Sequence, residues 1–367
     1  MRVVFSIFVT LFVITGASRS DVFGSLDPPE PILVCSLTVT GDQLLSLSVG
    51  GGSVGDPLST APPYIVNMVV DTGAKHSLIF DPRIPAQKQS TYSISPDGNE
   101  IKFQNFVVEK RGVNTVSLMT NACNFPVAIP QSSVEMAAPM KPDLGEPIQG
   151  LVGLNIDAIS EKNLFITRPF GDDLKSISIK IPTVLQPGVR NEGVLVVKRK
   201  GSGSIRGEYN GPYMHVNSRH YWSTIVTKLK VGERTVITAP DGKLISVVFD
   251  TGSNYFGVSE GLLADVQEAI RDGKVGFVIE TMAYLDPNTD SKPMPVSMRF
   301  PSDSFGSFTK DLSQGFVVEK VDQSQFDDLA QSEIVVIGTR GLRGKTLSIF
   351  TNDSPAKIGE FALSVKN

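Results

Sequence analysis

At 367 residues the chain exceeds one ordinary small domain and is long enough to bury two cores. With 41% hydrophobic and 20% charged residues it has the composition of a globular protein. A formal net charge of -4 argues against nucleic acid or an anionic membrane surface as the main partner.

Residues 1–20 stand apart from the rest. Arg2 precedes an apolar run from Val3 to Ile14, and the small residues Thr15-Gly16-Ala17-Ser18 follow. A charged start, an apolar stretch and a small-residue cleavage site predict a signal peptide. The run is shorter than the roughly 20 residues a bilayer-spanning helix needs, although a buried strand or an uncleaved anchor would read similarly. The C-terminus, Ser364-Val365-Lys366-Asn367, is polar. The expected location is therefore the secretory pathway, outside the cell or in an acidic, endolysosomal-type compartment, without a stable membrane anchor. An oxidising compartment permits Cys35 and Cys123 to pair, but sequence alone cannot bring their Cα atoms together. One disulfide and two separate buried thiols both stay open. The chain has no C-x-x-C, and His76, His215 and His220 lack ligand spacing, so no metal is expected. His215 and His220 read as solvated surface.

Strand-like runs dominate the remainder: Leu44 to Val49, Tyr64 to Val70, Ile101 to Val108, Ser176 to Ile181, Gly193 to Lys198, Trp222 to Val231, Ser246 to Phe249, Phe316 to Val321 and Glu333 to Ile337. Gly50-Gly51-Gly52, Pro62-Pro63, Asp97-Gly98, Gly201-Ser202-Gly203 and Asp241-Gly242 read as the turns between them. A helix is predicted over Glu260 to Arg271, with Leu263, Val266 and Ile270 on one face, Ser259 as its cap and Gly273 just past its end. A shorter helix is expected near Asp157 to Leu164. The fold class is mostly β.

The chain repeats itself. Met68-Val69-Val70-Asp71-Thr72-Gly73-Ala74 returns 179 residues later as Val247-Val248-Phe249-Asp250-Thr251-Gly252-Ser253. Each copy precedes an apolar block with glycine, Ile148-Gln149-Gly150-Leu151-Val152-Gly153-Leu154 in the first half and Ile334-Val335-Val336-Ile337-Gly338 in the second. A lone Asp-Thr-Gly arises by chance in about one chain in ten of this length. Two strand-terminating copies, each with its glycine block, are far rarer, although Asp and Gly also close ordinary turns. The repeat predicts two similar lobes, 21–182 and 183–367, meeting at a cleft.

The residue types suit acid–base chemistry. Glycine lets backbones approach closely, and a threonine hydroxyl can lock a loop. Two facing carboxylates cannot both ionise cheaply, so they share a proton, as in the aspartic-protease dyad of general protein chemistry. One can then activate a water while the other donates to a carbonyl, without metal, cofactor or covalent intermediate.

On these motifs the chain resembles the pepsin-like aspartic peptidases. The tail Ile337-Gly338-Thr339-Arg340-Gly341-Leu342 to Phe350, the segment Lys357 to Ala362, and Tyr221-Trp222 with Leu229-Lys230-Val231-Gly232 are similar to further segments of that family. The resemblance implies a bilobal acid-protease fold and endopeptidase action on extended polypeptides by a single monomeric chain. It implies Asp71 and Asp250 as the catalytic pair, with Thr72, Gly73, Thr251 and Gly252 supporting the catalytic loops. The family's flap, a hairpin over the substrate, falls by position on Ile101 to Gly112, with Phe103 nearest to its usual tyrosine.

Several residues depart from the pattern. Ala74 stands where the family has serine, and removing a hydroxyl from a carboxylate disfavours its charged form, which predicts a less acidic pair and an optimum nearer neutral. Lys75-His76-Ser77-Leu78 lacks the usual Asn and Trp, Asn254 replaces a serine, and the flap tip has no glycine. Only a short stretch precedes the strand-like Ile32-Leu33-Val34, where the family carries a long pro-segment. These departures motivate an alternative: a catalytically silent relative that binds peptide, protein or sugar in the old cleft. Asn352-Asp353-Ser354 also fits a glycosylation acceptor.

Overall fold

A computed structural model describes residues 33–41, 43–54, 64–80, 93–94, 100–103, 106–109, 115–119, 123, 135–137, 150–160, 173–185, 190–200, 212–231, 235–271, 277–285, 292–300, 318–351 and 361–366. The expected signal segment, the Asn352 triplet and Phe316 lie outside these residues. The molecule is mostly β, as the turn-rich, Val/Ile-rich sequence implies. Among the described residues the strands form a 16-stranded mixed sheet, a five-stranded sheet and a three-stranded sheet.

The middle of the large sheet is antiparallel and draws on both ends of the chain. Leu33–Val39 pairs with Arg190–Arg199, which pairs with Leu174–Lys180; Thr346–Thr351 and Phe361–Lys366 follow in order. The first of these strands alternates buried and half-buried residues, Leu33, Cys35, Leu37 and Val39 facing inward. That is the period of two expected where one face meets a core. Ile177 lies opposite Ile349, so residues 172 apart in sequence are cross-strand neighbours near the centre of the sheet.

The sequence repeat is also a structural repeat. Tyr64–Asp71 runs parallel to Gly150–Gly153, with Val70 opposite Val152. Leu244–Phe249 runs parallel to Ser332–Ile337, with Phe249 opposite Ile337. In each half the strand just after the Asp-Thr-Gly loop, Leu78–Phe80 or Phe256–Val258, returns antiparallel against the glycine-block strand. Each returning strand is joined in parallel by a further short strand, Glu135–Ala137 or Glu319–Lys320. All six residues of Ser332–Ile337 are buried, as suits a parallel strand covered on both faces.

Several expectations change. The triple glycine is not a turn: Leu45–Val54 runs through it, with Gly50 opposite both Ile65 and Met119. Flanked by strands on both sides, this stretch follows its ladder bonds rather than glycine's turn preference. The single run expected over 101–108 is two strands, Glu100–Phe103 and Phe106–Glu109, paired as a hairpin. The run over 222–231 breaks at Thr227, whose backbone N–H and hydroxyl both donate to the carbonyl of Glu280. Helix α1 is the short Ile156–Ser160, and helix α2 occupies Glu260–Arg271 as expected. The face that α2 buries is carried by Leu262 and Val266, with Leu263 half-buried beside them. Ser259 does not cap α2 with its hydroxyl, which donates to the buried Glu333 and accepts from the amide of Ile334. No helix among the described residues is long and apolar enough to cross a membrane.

Cys35 and Cys123 form a disulfide, settling the alternative that the sequence left open. Cys35 is fully buried in the central sheet, so the bridge ties residue 123 to the core. Closing a loop between residues 88 apart removes unfolded-state entropy worth roughly 4 kcal/mol. The Cys35→Ala/Cys123→Ala double variant should therefore unfold at lower urea, by about that free energy, and reductant should shift the parent protein but not the variant.

Candidate functional site

Each aspartate sits where its strand leaves the sheet. Asp71 ends Tyr64–Asp71, opposite Gly153, and its carbonyl accepts from the amide of Leu154 at 2.7 Å. Asp250 follows Leu244–Phe249 directly, and its amide donates to the carbonyl of Ile337 at 3.0 Å. The carboxylates turn back onto their own loops. Asp71 Oδ1 accepts from the amides of Gly73 and Ala74 at 2.8 and 3.0 Å, and Asp250 Oδ1 from the amide of Gly252 at 2.9 Å.

The two loops are locked together by their threonines, both fully buried. The Thr72 amide donates to Thr251 Oγ1 at 3.2 Å, and the Thr251 amide donates to Thr72 Oγ1 at 2.9 Å. Each hydroxyl then donates across to the other strand, Thr72 to the carbonyl of Phe249 at 2.8 Å and Thr251 to that of Val70 at 2.7 Å. A ring of further bonds closes beneath them. Leu154 N–H reaches Asp71, Trp222 Nε1–H reaches the carbonyl of Leu154 at 2.6 Å, Phe249 N–H reaches the carbonyl of Trp222 at 2.9 Å, and Thr72 returns to Phe249. Trp222 is fully buried, so this indole bond has no water to compete with it.

Gly73 and Gly252 are required by the same approach. A Cβ on Gly252 would lie 2.1 Å from Cγ of Asp71, and one on Gly73 would lie 2.9 Å from Oδ1 of Asp250. The block glycines repeat this logic: a Cβ on Gly153 would strike the carbonyls of Ala74 and His76, and one on Gly338 those of Ser253 and Tyr255.

The carboxyls of Asp71 and Asp250 are within hydrogen-bond reach of each other. Burial raises both above the ordinary carboxylate range. Asp71 is raised further by the charge of Asp250, whereas Asp250 is held lower by the Gly252 amide and by the Asp71 hydrogen bond; the Ser253 hydroxyl donates to the Asp250 main-chain carbonyl at 3.2 Å. The pair as a whole is thus less acidic than a free carboxylate and shares a proton. Ala74 offers Asp71 only an amide, in line with the less acidic pair expected from that substitution, although burial is the larger cause.

The structure thus brings Asp71, Asp250, Thr72, Thr251, Gly73 and Gly252 into one site. For Phe103 it defines only a backbone register, opposite Phe106 in the hairpin. His220 is not merely solvated: its Nδ1 lies 2.6 Å from Oδ2 of Asp157. Sequence reasoning missed Tyr221 and Tyr255 as neighbours of the pair; both phenols feel the charge of Asp250. Tyr255 lies only five residues beyond Asp250, a proximity that could have signalled it. Among the described residues no cluster of three or more His, Cys, Asp or Glu could hold a metal ion.

No family model matches this chain, and no curated protein matches it. Among solved structures it is similar to the basic 7S globulin from soybean, at TM-score 0.55 and 11% identity, covering 91% of this chain and 94% of that one. It is also similar to conglutin gamma, a basic 7S globulin from lupine seeds, at TM-score 0.51 and 12% identity with the same coverages. Identities this low speak for the fold alone.

These findings correct the resemblance drawn from the motifs. No family model is matched, and the two solved structures named above are globulins by name. Membership of the pepsin-like aspartic peptidases, activity as an aspartic-type endopeptidase, and the description as a hydrolase or protease are withdrawn. The physical reason lies in what the doubled motif does here. It builds a rigid lock between two strand ends, which a non-enzymatic protein needs as much as an enzyme does.

The lock makes two testable demands. Thr251→Val keeps the shape but leaves the Val70 carbonyl and the Thr72 amide without partners, at about 1–3 kcal/mol each. Chemical denaturation should show a loss of roughly 2–6 kcal/mol. The second concerns pH. The folded pair keeps a proton that the unfolded chain releases near pH 4, so its contribution to stability falls as pH rises above that value. Asp71→Asn should raise the melting temperature at pH 7 and leave it nearly unchanged at pH 3, where Asp71 is protonated in both states.

Proposed function

We propose that this is a non-enzymatic binding protein of the secretory pathway, which holds an extended peptide over the Asp71–Asp250 pair without cleaving it. In this reading residues 21–182 and 183–367 are two lobes in a bilobal, pepsin-like arrangement, and the cleft between them is the binding site. The two equivalent parallel strand pairs support the two-lobe division, and the disulfide supports an oxidising compartment.

The observation that carries the proposal is the locked, proton-sharing pair. It combines one donor with several acceptor lone pairs in fixed positions, which suits a peptide group or hydroxyl of a bound chain. What surrounds it favours holding over turnover. Ala74 brings no hydroxyl to Asp71, and Phe103, at the position expected for the flap, has none to offer. The two named structures that share the fold are globulins by name, which is in keeping with this reading.

The test is to incubate the purified protein with reduced, unstructured casein from pH 3 to pH 7, following peptide release and, in parallel, peptide binding by calorimetry. Saturable binding without release is expected. Peptide release that Asp250→Ala abolishes would overturn the proposal.

A further inference from the structure

The disulfide joins two strands that are held very differently by everything else around them. Cys35 lies opposite Leu195 in a ladder that also runs through Leu33, Val34, Ser36 and Leu37. On the other edge of its strand, Leu45–Val54 pairs only at Thr38 and Val39. Beyond that point the edge is taken by Cys123, in an isolated bridge opposite Cys35. Cys123 follows the strand Thr115–Met119 by four residues, so the disulfide fastens the end of that strand to the core.

Thr115–Met119 has a weak ladder of its own. Among the described residues it pairs only with Leu45–Val54, and there Met119, Leu118 and Ser117 stand opposite Gly50, Gly51 and Gly52. Glycine brings no side chain to a cross-strand pair, and such pairs stabilise neighbouring strands beyond their ladder bonds. The hairpin of Glu100–Phe103 and Phe106–Glu109 comes just before this strand in chain order, so the strand also tethers the hairpin's C-terminal end. Leu33–Val39, by contrast, keeps its ladder with Arg190–Arg199 and its buried Leu33, Leu37 and Val39 whether or not the sulfurs are joined. The two cysteines also differ in access. Cys35 is fully buried and Cys123 is half-buried, so an external thiolate reaches Cys123 first.

We propose that Cys35–Cys123 is a redox latch: a soluble dithiol opens it and releases Thr115–Met119 from the glycine stretch while the central sheet stays folded. One thiolate of the dithiol attacks Sγ of Cys123, the S–S bond breaks, and Cys35 leaves as a thiolate that takes up a proton. The second thiol of the reagent then displaces Cys123, giving two protein thiols and a cyclic oxidised dithiol. Two electrons pass from the dithiol to the cystine. In an oxidising compartment the latch stays shut, and it opens where dithiols prevail.

Hydrogen exchange read by mass spectrometry, on the full chain at pH 7 with and without dithiothreitol, tests this. On reduction, peptides covering 115–119 should exchange about ten-fold or more faster, because local opening then costs less. Peptides covering 33–39 and 194–198 should keep their protection. Replacing the dithiol by oxidised glutathione should restore the slow exchange at 115–119. A brief pulse of reduced glutathione, quenched with an alkylating agent, should leave glutathione on Cys123 and the alkyl group on Cys35. Unchanged exchange at 115–119 overturns the latch. Loss of protection at 33–39 together with 115–119 also overturns it, since the bridge would then hold the whole sheet. Exchange that stays fast after reoxidation overturns the switch, and glutathione on Cys35 overturns the order of attack.

Discussion

Two buried threonine hydroxyls, each accepting from the opposite loop and donating to the opposite strand, determine everything else about this site. Neither polar atom has water to fall back on, so both bonds must be made or the loops must part. The side chain has to be threonine-like: short enough to reach across, able to donate and accept at once, and β-branched so that it holds one rotamer. The lock also dictates the glycines. Once the loops interlock this closely, the backbone of each lies against the other's carboxylate, and Gly73 and Gly252 have no room for a side chain.

From that geometry the electrostatics follow. Loops locked through their backbones cannot spread to relieve two carboxylates, and burial removes the solvent that would otherwise stabilise both charges. A proton is retained instead, shared by the pair. The two halves are not equivalent in how they treat it. The Ser253 hydroxyl donates to the main-chain carbonyl of Asp250, and the corresponding Ala74 brings only an amide, to the Asp71 carboxylate. One substitution between otherwise matching loops thus makes a chemically asymmetric pair from a near-symmetric fold. The tyrosines add to the asymmetry, since both stand in the C-terminal half and feel the charge of Asp250.

Much of this was legible in the residues. The doubled Asp-Thr-Gly and the two glycine blocks gave the site residues and their mutual approach, because a tight crossing can be built from few residue types. Helix α2 was legible for a similar reason, since its amphipathic spacing is local. What failed was what depends on distant partners. Gly50-Gly51-Gly52 reads as a turn until strands on either side recruit it. Ser259 reads as a cap until a buried glutamate from Ser332–Ile337 claims its hydroxyl. The disulfide was undecidable because 88 residues separate its ends. Tyr221 was read only as part of the Tyr221-Trp222 segment and Tyr255 belongs to no motif, so neither was tied in sequence to Asp250, whose charge both phenols feel.

The step from motif to activity failed for a different reason. Asp-Thr-Gly, read twice, encodes a mechanical arrangement: strand end, cross-donating hydroxyl, side-chain-free approach. Every one of these parts is accounted for by the need to join two strand ends rigidly. Turnover asks for more: groups that follow a changing charge and a cover that closes on the substrate. Those demands fall on the residues around the motif, where this chain has Ala74, Asn254 and Phe103. A binding site asks less, namely fixed polar atoms, a suitable field and an apolar wall. The locked pair Asp71 and Asp250 supplies the fixed polar atoms, which is why the proposed reading is one of holding a ligand rather than transforming it.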